Sequence, residues 1–251
     1  MNPASDFIWA DWPAPAGIRA GTTRRTGGVS KSPFDALNLG DHVGDASESV
    51  ALNRGRLQQT LALPAAPIWL NQVHGTTVAR LDASTVWPVE ADAAVTRDPA
   101  CVLAILTADC LPVVLTSRDG QVRAAAHAGW RGLAAGVLEA TVAAMDCSPG
   151  EIMAWLGPAI GPRRFEVGAE VRAAFVDAHS DDHAAFREAR RPGKFLADIY
   201  ALARARLQRA GISQVSGGGH CTVTDAGFYS HRGDRGQTGR MATLIWYAPS
   251  V

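Results

Sequence analysis

The 251-residue chain has no excess of charge of either sign, because 24 basic side chains balance 24 acidic ones. Proteins that bind nucleic acid or an acidic membrane surface ordinarily show a basic excess or a basic stripe. Long apolar runs are also missing. The most apolar stretch, Val102 to Thr116, is shorter than the roughly 18 residues that a transmembrane helix needs, and it contains Asp109. We therefore expect neither nucleic acid nor a membrane as a partner.

Cysteine is scarce, and its positions are far apart. The four residues are Cys101, Cys110, Cys147 and Cys221, and no two of them form a Cys-x-x-Cys pair. The N-terminal sequence has neither the positive start nor the apolar segment of a secretory signal. This pattern predicts reduced thiols in a cytoplasmic protein. Because a chain of this length can bury a sizeable core without disulfides, we expect one domain over residues 1–251.

Several catalytic signatures are absent as well. The sequence has no His-Glu-x-x-His, no Gly-x-Ser-x-Gly and no cytidine-deaminase combination of His-x-Glu with Pro-Cys-x-x-Cys. Seven scattered histidines, with no His-x-His pair, are also too few for the copper cluster of a multicopper oxidase.

Short apolar runs and longer amphipathic segments alternate irregularly along the chain. Short runs of this kind predict buried strands, here over Ile18–Thr23, Ile68–Val73, Cys101–Leu106, Pro112–Thr116, Val122–Ala126, Ile152–Leu156, Ile212–Val215 and Met241–Tyr247. Helical spacing predicts four helices, over Asp45–Leu61 with a capping box, Leu133–Met145, Val171–Ala178 and Leu196–Ala210. Arg187–Gly193 is predicted to be a surface loop. Because several strands follow one another closely, we predict a layered α+β fold with mixed sheets.

Three potential metal ligands stand where predicted strands end. His74 follows one apolar run, Cys110 interrupts another, and His127 closes an alanine-rich one before two glycines. A mixed sheet can bring such strand ends together. Two imidazoles and one thiolate with a fourth position open form a typical catalytic zinc site.

The same three residues allow two other interpretations. With Met145 or Met153 as an axial ligand they would make a blue-copper centre for electron transfer. Without a metal, Cys110 activated by His127 or His74 would be the nucleophile of a cysteine hydrolase or amidase.

Other polar residues give weaker signals. Asp109, inside an apolar stretch, must pair or face a cavity, and capping a turn between two strands would be enough to explain it. His179 and His183 lie four residues apart among acidic residues, which predicts a solvated surface more than a metal site. The arginine-rich and glycine-rich tail, with Arg232 and Arg240, suits a loop that binds phosphate.

Taken together, the motifs of the chain resemble the laccase-domain or polyphenol oxidase family, also described as multi-activity purine nucleoside phosphorylases. The matching segments span almost the whole chain, and they are Arg25-Thr-Gly-Gly-Val-Ser30, Asn38-Leu-Gly40, Asn71-Gln-Val-His-Gly75, Thr107-Ala-Asp-Cys-Leu-Pro112, His127-Ala-Gly-Trp-Arg-Gly132, Gly157-Pro-Ala-Ile-Gly-Pro162 and Thr238-Gly-Arg240. One departure is that Gly233 follows Arg232, where the family pattern has a second arginine, and the loop before Thr238 is one residue longer.

The resemblance implies an α-β-β-α sandwich with mixed sheets, similar to cysteine hydrolases, and a zinc ion bound by His74, Cys110 and His127. It also implies phosphorolysis of adenosine, inosine and S-methyl-5′-thioadenosine, together with deamination of adenosine. Family members have further been described as copper-containing polyphenol oxidases and as amidases that edit UDP-N-acetylmuramoyl-L-serine, a peptidoglycan precursor.

From the resemblance and the residues together, we assign expected roles in a nucleoside enzyme. Cys110, Asp109 and His127 would be catalytic, with Asp109 transferring a proton or orienting a ligand. Arg25, Arg232 and a helix start after Gly132 would hold phosphate, and Asn38 and Gln72 would bond the nucleoside. The expected partners are therefore a nucleoside and phosphate, and the sequence does not determine the oligomeric state.

Overall fold

The computed structural model describes residues 1–86 and 88–248. Its strands are Phe7–Trp9 (β1), Ile18–Thr23 (β2), Ile68–Asn71 (β3), Val78–Arg80 (β4), Val89–Glu90 (β5), Ala93–Thr96 (β6), Leu103–Thr107 (β7), Leu111–Ser117 (β8), Arg123–Ala128 (β9), Ile152–Leu156 (β10), Glu166–Gly168 (β11), Phe186–Glu188 (β12), Lys194–Ala197 (β13), Gln214–Gly217 (β14) and Met241–Tyr247 (β15). Its α-helices are Ser47–Thr60 (α1), Trp130–Ala135 (α2), Val137–Met145 (α3), Ala169–Val176 (α4) and Ile199–Arg209 (α5).

Two six-stranded sheets form the centre of the molecule. The first has the strand order β1-β2-β15-β7-β3-β5 and the second β14-β10-β8-β9-β6-β4, while β11, β13 and β12 make a small third sheet. Both large sheets are mixed: β3 runs parallel to β7, for example, whereas β15 pairs antiparallel with β7. Ile105 and Ile245 of the first sheet pack with Val114 and Trp155 of the second, so apolar side chains fill the space between the sheets.

Helices cover the outer faces of both sheets. Leu57 of α1 packs with Leu244 and Trp246 on the first sheet, and Leu138 and Leu207, from α3 and α5, lie in the cluster on the second. Successive strand side chains point to opposite faces, and both faces are covered, which explains the uninterrupted apolar runs of the sequence. The predicted α-β-β-α sandwich with mixed sheets is confirmed.

Several predicted elements are confirmed, and four features need correction. The strands Ile18–Thr23, Ile152–Leu156 and Met241–Tyr247 have the predicted bounds. The helix predicted over Leu133–Met145 begins earlier, at Trp130, and is split at Gly136, whose φ of +98° ends one helix and starts the next. The prediction of a capping box at Asp45 is also wrong, because the N-cap residue of α1 is Ala46, whose side chain has no acceptor.

The start of the last long helix also differs from the prediction. Leu196 belongs to strand β13, and α5 begins at Ile199, after Asp198 accepts a hydrogen bond from the Ala201 amide at 3.0 Å. Leu196 fits the helical spacing of apolar residues, but an N-cap aspartate stops the helix from extending further back. Arg187, predicted to lie in a loop, is part of strand β12. The assignment of residues 1–251 to one domain stays a prediction.

The connection between β7 and β8 determines where the site forms. Strand β7 belongs to the first large sheet and β8 to the second, so Ala108, Asp109 and Cys110 carry the chain from one sheet to the other. Asp109 has a φ of +90°, which turns the chain sharply between the two strands. Pro112 of β8 pairs with His127 of β9, so Cys110 and His127 lie at the same end of neighbouring strands.

Candidate metal centre

The structure brings His74, Cys110 and His127 together. Their potential ligand atoms all lie within 4.8 Å of one another, and the two imidazole rings meet edge to face with centroids 4.8 Å apart. Among the described residues, this is the one group of three or more such side chains close enough to hold an ion. The convergence of three strand ends that the sequence predicted is therefore present.

A buried carboxylate that the sequence analysis missed holds two of the three ligands. Asp92 is completely buried, and its carboxylate accepts hydrogen bonds from the backbone amides of Val73, His74 and Gly75, at 3.2, 2.8 and 2.6 Å. These bonds fix the loop after β3 in a conformation that gives His74 a φ of +63°. Asp92 also lies 2.8 Å from Nδ1 of His127.

The contact with Asp92 determines which nitrogen of His127 is available. With Nδ1 directed to the carboxylate, Nε2 is the atom left to face Cys110 and His74. Carboxylates commonly orient metal-binding histidines in this way and make them better ligands. An acidic residue within the apolar segment Ala91–Val95 was the signal for Asp92 in the sequence, because a buried carboxylate requires partners.

The electrostatics of the three ligands favour a thiolate. Burial by itself raises the pKa of the Cys110 thiol, but the imidazoles of His127 and His74 outweigh burial and lower that pKa to about 6. Burial lowers the pKa of His127, whereas Cys110 and Asp92 raise it above its ordinary value. A thiolate next to an imidazole is suited both to metal binding and to nucleophilic attack.

The space between the three side chains suits a metal ion. A Cβ atom at Gly129 would lie 3.1 Å from Sγ of Cys110, 3.3 Å from Cδ2 of His74 and 3.5 Å from Nε2 of His127. The absence of a side chain at Gly129 therefore keeps the ligand atoms accessible on that side. Two imidazoles and a thiolate match the ligand types of zinc, with a fourth position left for water or substrate.

Asp109, next to Cys110, is held by three donors. Its Oδ1 accepts hydrogen bonds from the hydroxyls of Thr222 and Ser230, at 2.6 and 2.7 Å, and its Oδ2 accepts one from the Arg232 amide at 2.7 Å. These bonds fasten the tail loop to the turn that carries Cys110. The geometry supports a role in positioning for Asp109, and proton transfer by this residue stays a prediction.

A cavity of about 430 Å³ opens beside the three ligands. It is lined by His42, Gln72, His74, Leu106, Thr107, Ala108, Asp109, Cys110, His127, Trp130, Arg131, Ile160, Phe165, Ile199, His231, Arg232 and Arg240. Neither Met145 nor Met153, the axial ligands considered for a blue-copper site, is among them. His42, which follows the Asn38-Leu-Gly40 motif, was not singled out from the sequence.

Two of the predicted substrate residues line the cavity. The amide of Gln72 is already bonded to the backbone of Leu106, donating to its carbonyl at 2.9 Å and accepting from its N–H at 2.8 Å. Arg232 donates through Nη1 to the carbonyl of Glu166 at 3.0 Å. Contacts of Gln72 and Arg232 with a substrate stay predictions.

The other two predicted substrate residues lie outside the cavity lining. Arg25 forms ion pairs with Asp35 and Asp234, at 3.5 and 3.7 Å, and stacks on the ring of Tyr229. Asn38 is completely buried, and its side chain bonds to neighbouring loops. The structure thus does not bring Arg25 and Asn38 to His74, Cys110 and His127, and their contacts with substrate stay predictions.

The helix after His127 starts earlier than we expected. It begins at Trp130 with Gly129 as its N-cap, so Gly132 lies within its first turn. His179 is the N-cap residue of the 3-10 helix Ser180–Ala185, in which His183 is exposed and its Nδ1 contacts the carbonyl of Ser180 at 2.8 Å. Across residues 1–86 and 88–248, no helix combines the length and apolar character that crossing a bilayer requires.

Comparison with known families identifies the chain. Residues 19–248 match the family described as "Multi-copper polyphenol oxidoreductase laccase". The chain belongs to this family. The motif-based resemblance stated from the sequence is therefore confirmed.

Relatives and solved structures cover nearly the whole chain. "Purine nucleoside phosphorylase PA4543" of Pseudomonas aeruginosa is 55% identical over 96% of this chain and 98% of its own, and "Purine nucleoside phosphorylase YfiH" of Escherichia coli is 50% identical over 96% and 99%. The crystal structure of protein NMB0706 from Neisseria meningitidis, 50% identical, covers 97% of this chain and 100% of its own with a TM-score of 0.92. YlmD from Geobacillus stearothermophilus, 32% identical, covers 99% and 98% with a TM-score of 0.90.

Proposed function

We propose that this protein is a zinc-dependent purine nucleoside phosphorylase that also deaminates adenosine. The observation that carries the proposal is the convergence of His74, Cys110 and His127 at the wall of the cavity. The names of the relatives in Pseudomonas aeruginosa and Escherichia coli support the reaction class. The proposed substrates are adenosine, inosine and S-methyl-5′-thioadenosine, with phosphate as the second substrate.

The proposed reactions balance without any further reagent. In phosphorolysis, a phosphate oxygen bonds to C1′ of the ribose while the bond from C1′ to the purine nitrogen breaks, and the departing base takes up a proton. In deamination, water adds to C6 of adenine and ammonia leaves. The products of phosphorolysis are a free base with ribose 1-phosphate, or with methylthioribose 1-phosphate from S-methyl-5′-thioadenosine, and the products of deamination are inosine and ammonia.

The chain's own residues would prepare the site for these reactions. His74, Cys110 and His127 would hold the metal, and zinc, when bound, would supply Lewis acidity. Asp92 keeps Nδ1 of His127 engaged so that Nε2 faces the other two ligands. Asp109 holds the tail loop in place, and Phe165 and Ile160 give the cavity an apolar wall.

The predicted substrate residues would act in two ways. Gln72 and Arg232 line the cavity and are proposed to contact the nucleoside and phosphate. Arg25 and Asn38, which lie outside the lining, would act through the loops that they hold. We also propose a cytoplasmic location.

One observation favours a second candidate function. The lowered pKa of Cys110 beside His127 is the arrangement of a cysteine nucleophile and its base. An amidase acting on a peptidoglycan precursor such as UDP-N-acetylmuramoyl-L-serine would use this pair without a metal. A copper-dependent polyphenol oxidase, suggested by the family description, has support from the thiolate and imidazole ligand types alone.

The deciding experiment incubates the purified protein with adenosine, with and without phosphate, and identifies the products. We expect adenine and ribose 1-phosphate only when phosphate is present, inosine in both cases, and about one zinc per chain in the starting protein. His127→Ala should lose both zinc and turnover, whereas the matched control His183→Ala, at an exposed position, should lose neither. Full activity after exhaustive chelation would favour the amidase mechanism and contradict the proposal.

A further inference from the structure

The cavity beside the metal ligands has more positive than negative side chains. Among the residues that line it, Asp109 is the one carboxylate, and three donors already occupy that carboxylate. Three arginines, Arg131, Arg232 and Arg240, line the same cavity. The cavity is therefore electrostatically suited to an anion.

The three arginines differ in how free their guanidinium groups are. Arg131 is exposed and stacks on the ring of Trp130 at 4.6 Å. Arg232 donates to the carbonyl of Glu166. Arg240 is half-buried, and no carboxylate of the described residues lies within ion-pair distance of it. Keeping a guanidinium half-buried without a carboxylate partner costs free energy. Binding of an external anion would offset that cost.

The protein fixes the orientation of Arg240 from three sides. Its Nη1 donates to the carbonyls of Thr238 and Gly239, at 3.0 and 3.1 Å, and its backbone N–H donates to Oδ1 of Asn38 at 2.9 Å. Its side-chain stem passes over Gly40, where an added Cβ would lie 2.7 Å from Cγ of Arg240. Asn38 and Gly40 thus position the arginine and keep room for it.

These contacts leave one edge of the guanidinium available. Within the described residues, neither Nε nor Nη2 of Arg240 donates to a protein acceptor, whereas both groups of Arg54 do donate to the carbonyl of Leu39. The Nε and Nη2 groups form the edge that binds two oxygens of a phosphate or carboxylate side by side. Burial lowers the pKa of Arg240, whereas Cys110 and Asp109, which line the same cavity, raise it.

We propose that Arg240, positioned by Asn38 and Gly40, binds the phosphate that attacks the nucleoside, and that its Nε–Nη2 edge grips two phosphate oxygens. This inference rests on the proposed phosphorolysis, and it moves the principal phosphate contact away from Arg25 and Arg232. Asn38 then contributes to phosphate binding through Arg240 and without touching the substrate. His42 lines the cavity beside Arg240, and burial together with the positive charge of Arg240 lowers the pKa of His42.

The test compares Arg240→Gln and Arg240→Lys with wild type, all in the zinc-loaded form. Arg240→Gln removes both the positive charge and the paired N–H donors of the guanidinium. Arg240→Lys keeps the charge but lacks the paired donors. Arg56→Gln is the matched control, since Arg56 is exposed on α1, away from the cavity lining. Zinc content and thermal unfolding of each variant establish that it is folded.

The first measurement is equilibrium dialysis with radiolabelled inorganic phosphate and no nucleoside. We expect Arg240→Gln to bind phosphate about 10- to 100-fold more weakly than wild type, as the loss of a charge-assisted bidentate contact implies. Arg240→Lys should lie between the two, and Arg56→Gln should equal wild type. Phosphate binding that is absent in wild type, or unchanged in folded Arg240→Gln, overturns the proposal.

The second measurement separates this inference from the proposed function. The KM for phosphate in inosine cleavage should rise in Arg240→Gln by a similar factor, while the KM for inosine stays near its wild-type value. If wild type cleaves no nucleoside, the proposed function fails, and the dialysis result still decides whether Arg240 binds phosphate. If cleavage occurs and Arg240→Gln raises the KM for inosine but not for phosphate, the assignment of Arg240 is wrong.

Discussion

Replacing Asp92 with asparagine tests whether one buried carboxylate organises the metal centre. The carboxylate accepts four hydrogen bonds: Oδ1 from the His74 amide and from Nδ1 of His127, and Oδ2 from the amides of Val73 and Gly75. Asparagine has nearly the same shape, but it carries an NH₂ group in place of one oxygen. If the NH₂ group takes the place of Oδ2, the amides of Val73 and Gly75 lose their acceptor. If it takes the place of Oδ1, the His74 amide loses its acceptor, and His127 keeps a partner only as the tautomer whose Nδ1 accepts and whose Nε2 carries the proton.

The expected loss follows from counting these donors. A buried donor without a partner costs about 1–3 kcal/mol, so one or two of them should lower the free energy of unfolding of the metal-free protein by about 1–6 kcal/mol. This is a large part of the roughly 5–15 kcal/mol that typically holds a domain folded. Because Asp92 also orients His127, zinc affinity should fall by about 10- to 100-fold.

Urea unfolding of the metal-free proteins and zinc competition with a chromogenic chelator measure the two effects. Asp11→Asn is a suitable control, since Asp11 is an exposed aspartate near the N-terminus. A stability loss below about 1 kcal/mol together with wild-type zinc affinity would refute the idea that Asp92 organises the loop and the histidine.

The stability that Asp92 contributes should also depend on pH. Burial alone would raise the pKa of Asp92, but the bonds from His127 and from the His74 and Gly75 amides lower it below the ordinary value of 3.8. A group whose pKa is lower in the folded state stabilises the protein above its unfolded pKa and loses that effect as the pH falls through its folded pKa. The stability difference between wild type and Asp92→Asn should therefore shrink as the pH falls below about 4, and, because Asp92 also raises the pKa of His127, it should shrink again as the pH rises from 6.5 towards about 9.

Three further predictions follow from the site. In metal-free protein at pH 7, iodoacetamide should label Cys110 faster than Cys101, because neighbouring imidazoles lower the pKa of Cys110 to about 6 while burial raises that of Cys101. Zinc should protect Cys110 from labelling, and equal labelling rates for the two cysteines would contradict a thiolate at Cys110. Gly129→Ala should weaken zinc binding by about 1–3 kcal/mol through overpacking against the ligands, measured by chelator competition, and unchanged affinity would mean that the space is not needed. Asp109→Asn should lower stability by about 1–3 kcal/mol and expose the tail loop to proteases while zinc is retained; loss of zinc instead would make Asp109 part of the metal centre.

Much of the fold was predictable because local sequence determines it. The strands Ile152–Leu156 and Met241–Tyr247 are buried on both faces, so their apolar runs mark their bounds directly. The break at Gly136 was not predicted, since an isolated glycine within a helical pattern either continues the helix at a cost or ends it, and packing decides between the two. The N-cap at Asp198 overrode the helical spacing of Leu196 for a similar reason.

The candidate metal ligands and the remaining site residues differ in how the sequence reveals them. His74, Cys110 and His127 each end or interrupt an apolar run. Because strand ends of a mixed sheet can lie side by side, the sequence predicts that the three residues come together, as they do. Asp92 lies 35 residues before His127, and nothing periodic links the two. The difference between Arg25 and Arg240 depends on the path of irregular loops, which hydrophobic patterns do not describe.

The two buried carboxylates would let one cavity hold both the proposed zinc ion and the proposed phosphate. Asp92 and Asp109 lie close to the metal ligands, yet donors of the protein occupy both carboxylates: three backbone amides and an imidazole at Asp92, two hydroxyls and an amide at Asp109. Each joins separate segments of the chain, and within residues 1–86 and 88–248 neither carboxylate forms an ion pair with Arg240. The negative charge needed to fold the site therefore leaves the arginine edge available, and an anionic substrate can supply the missing partner at the moment of binding.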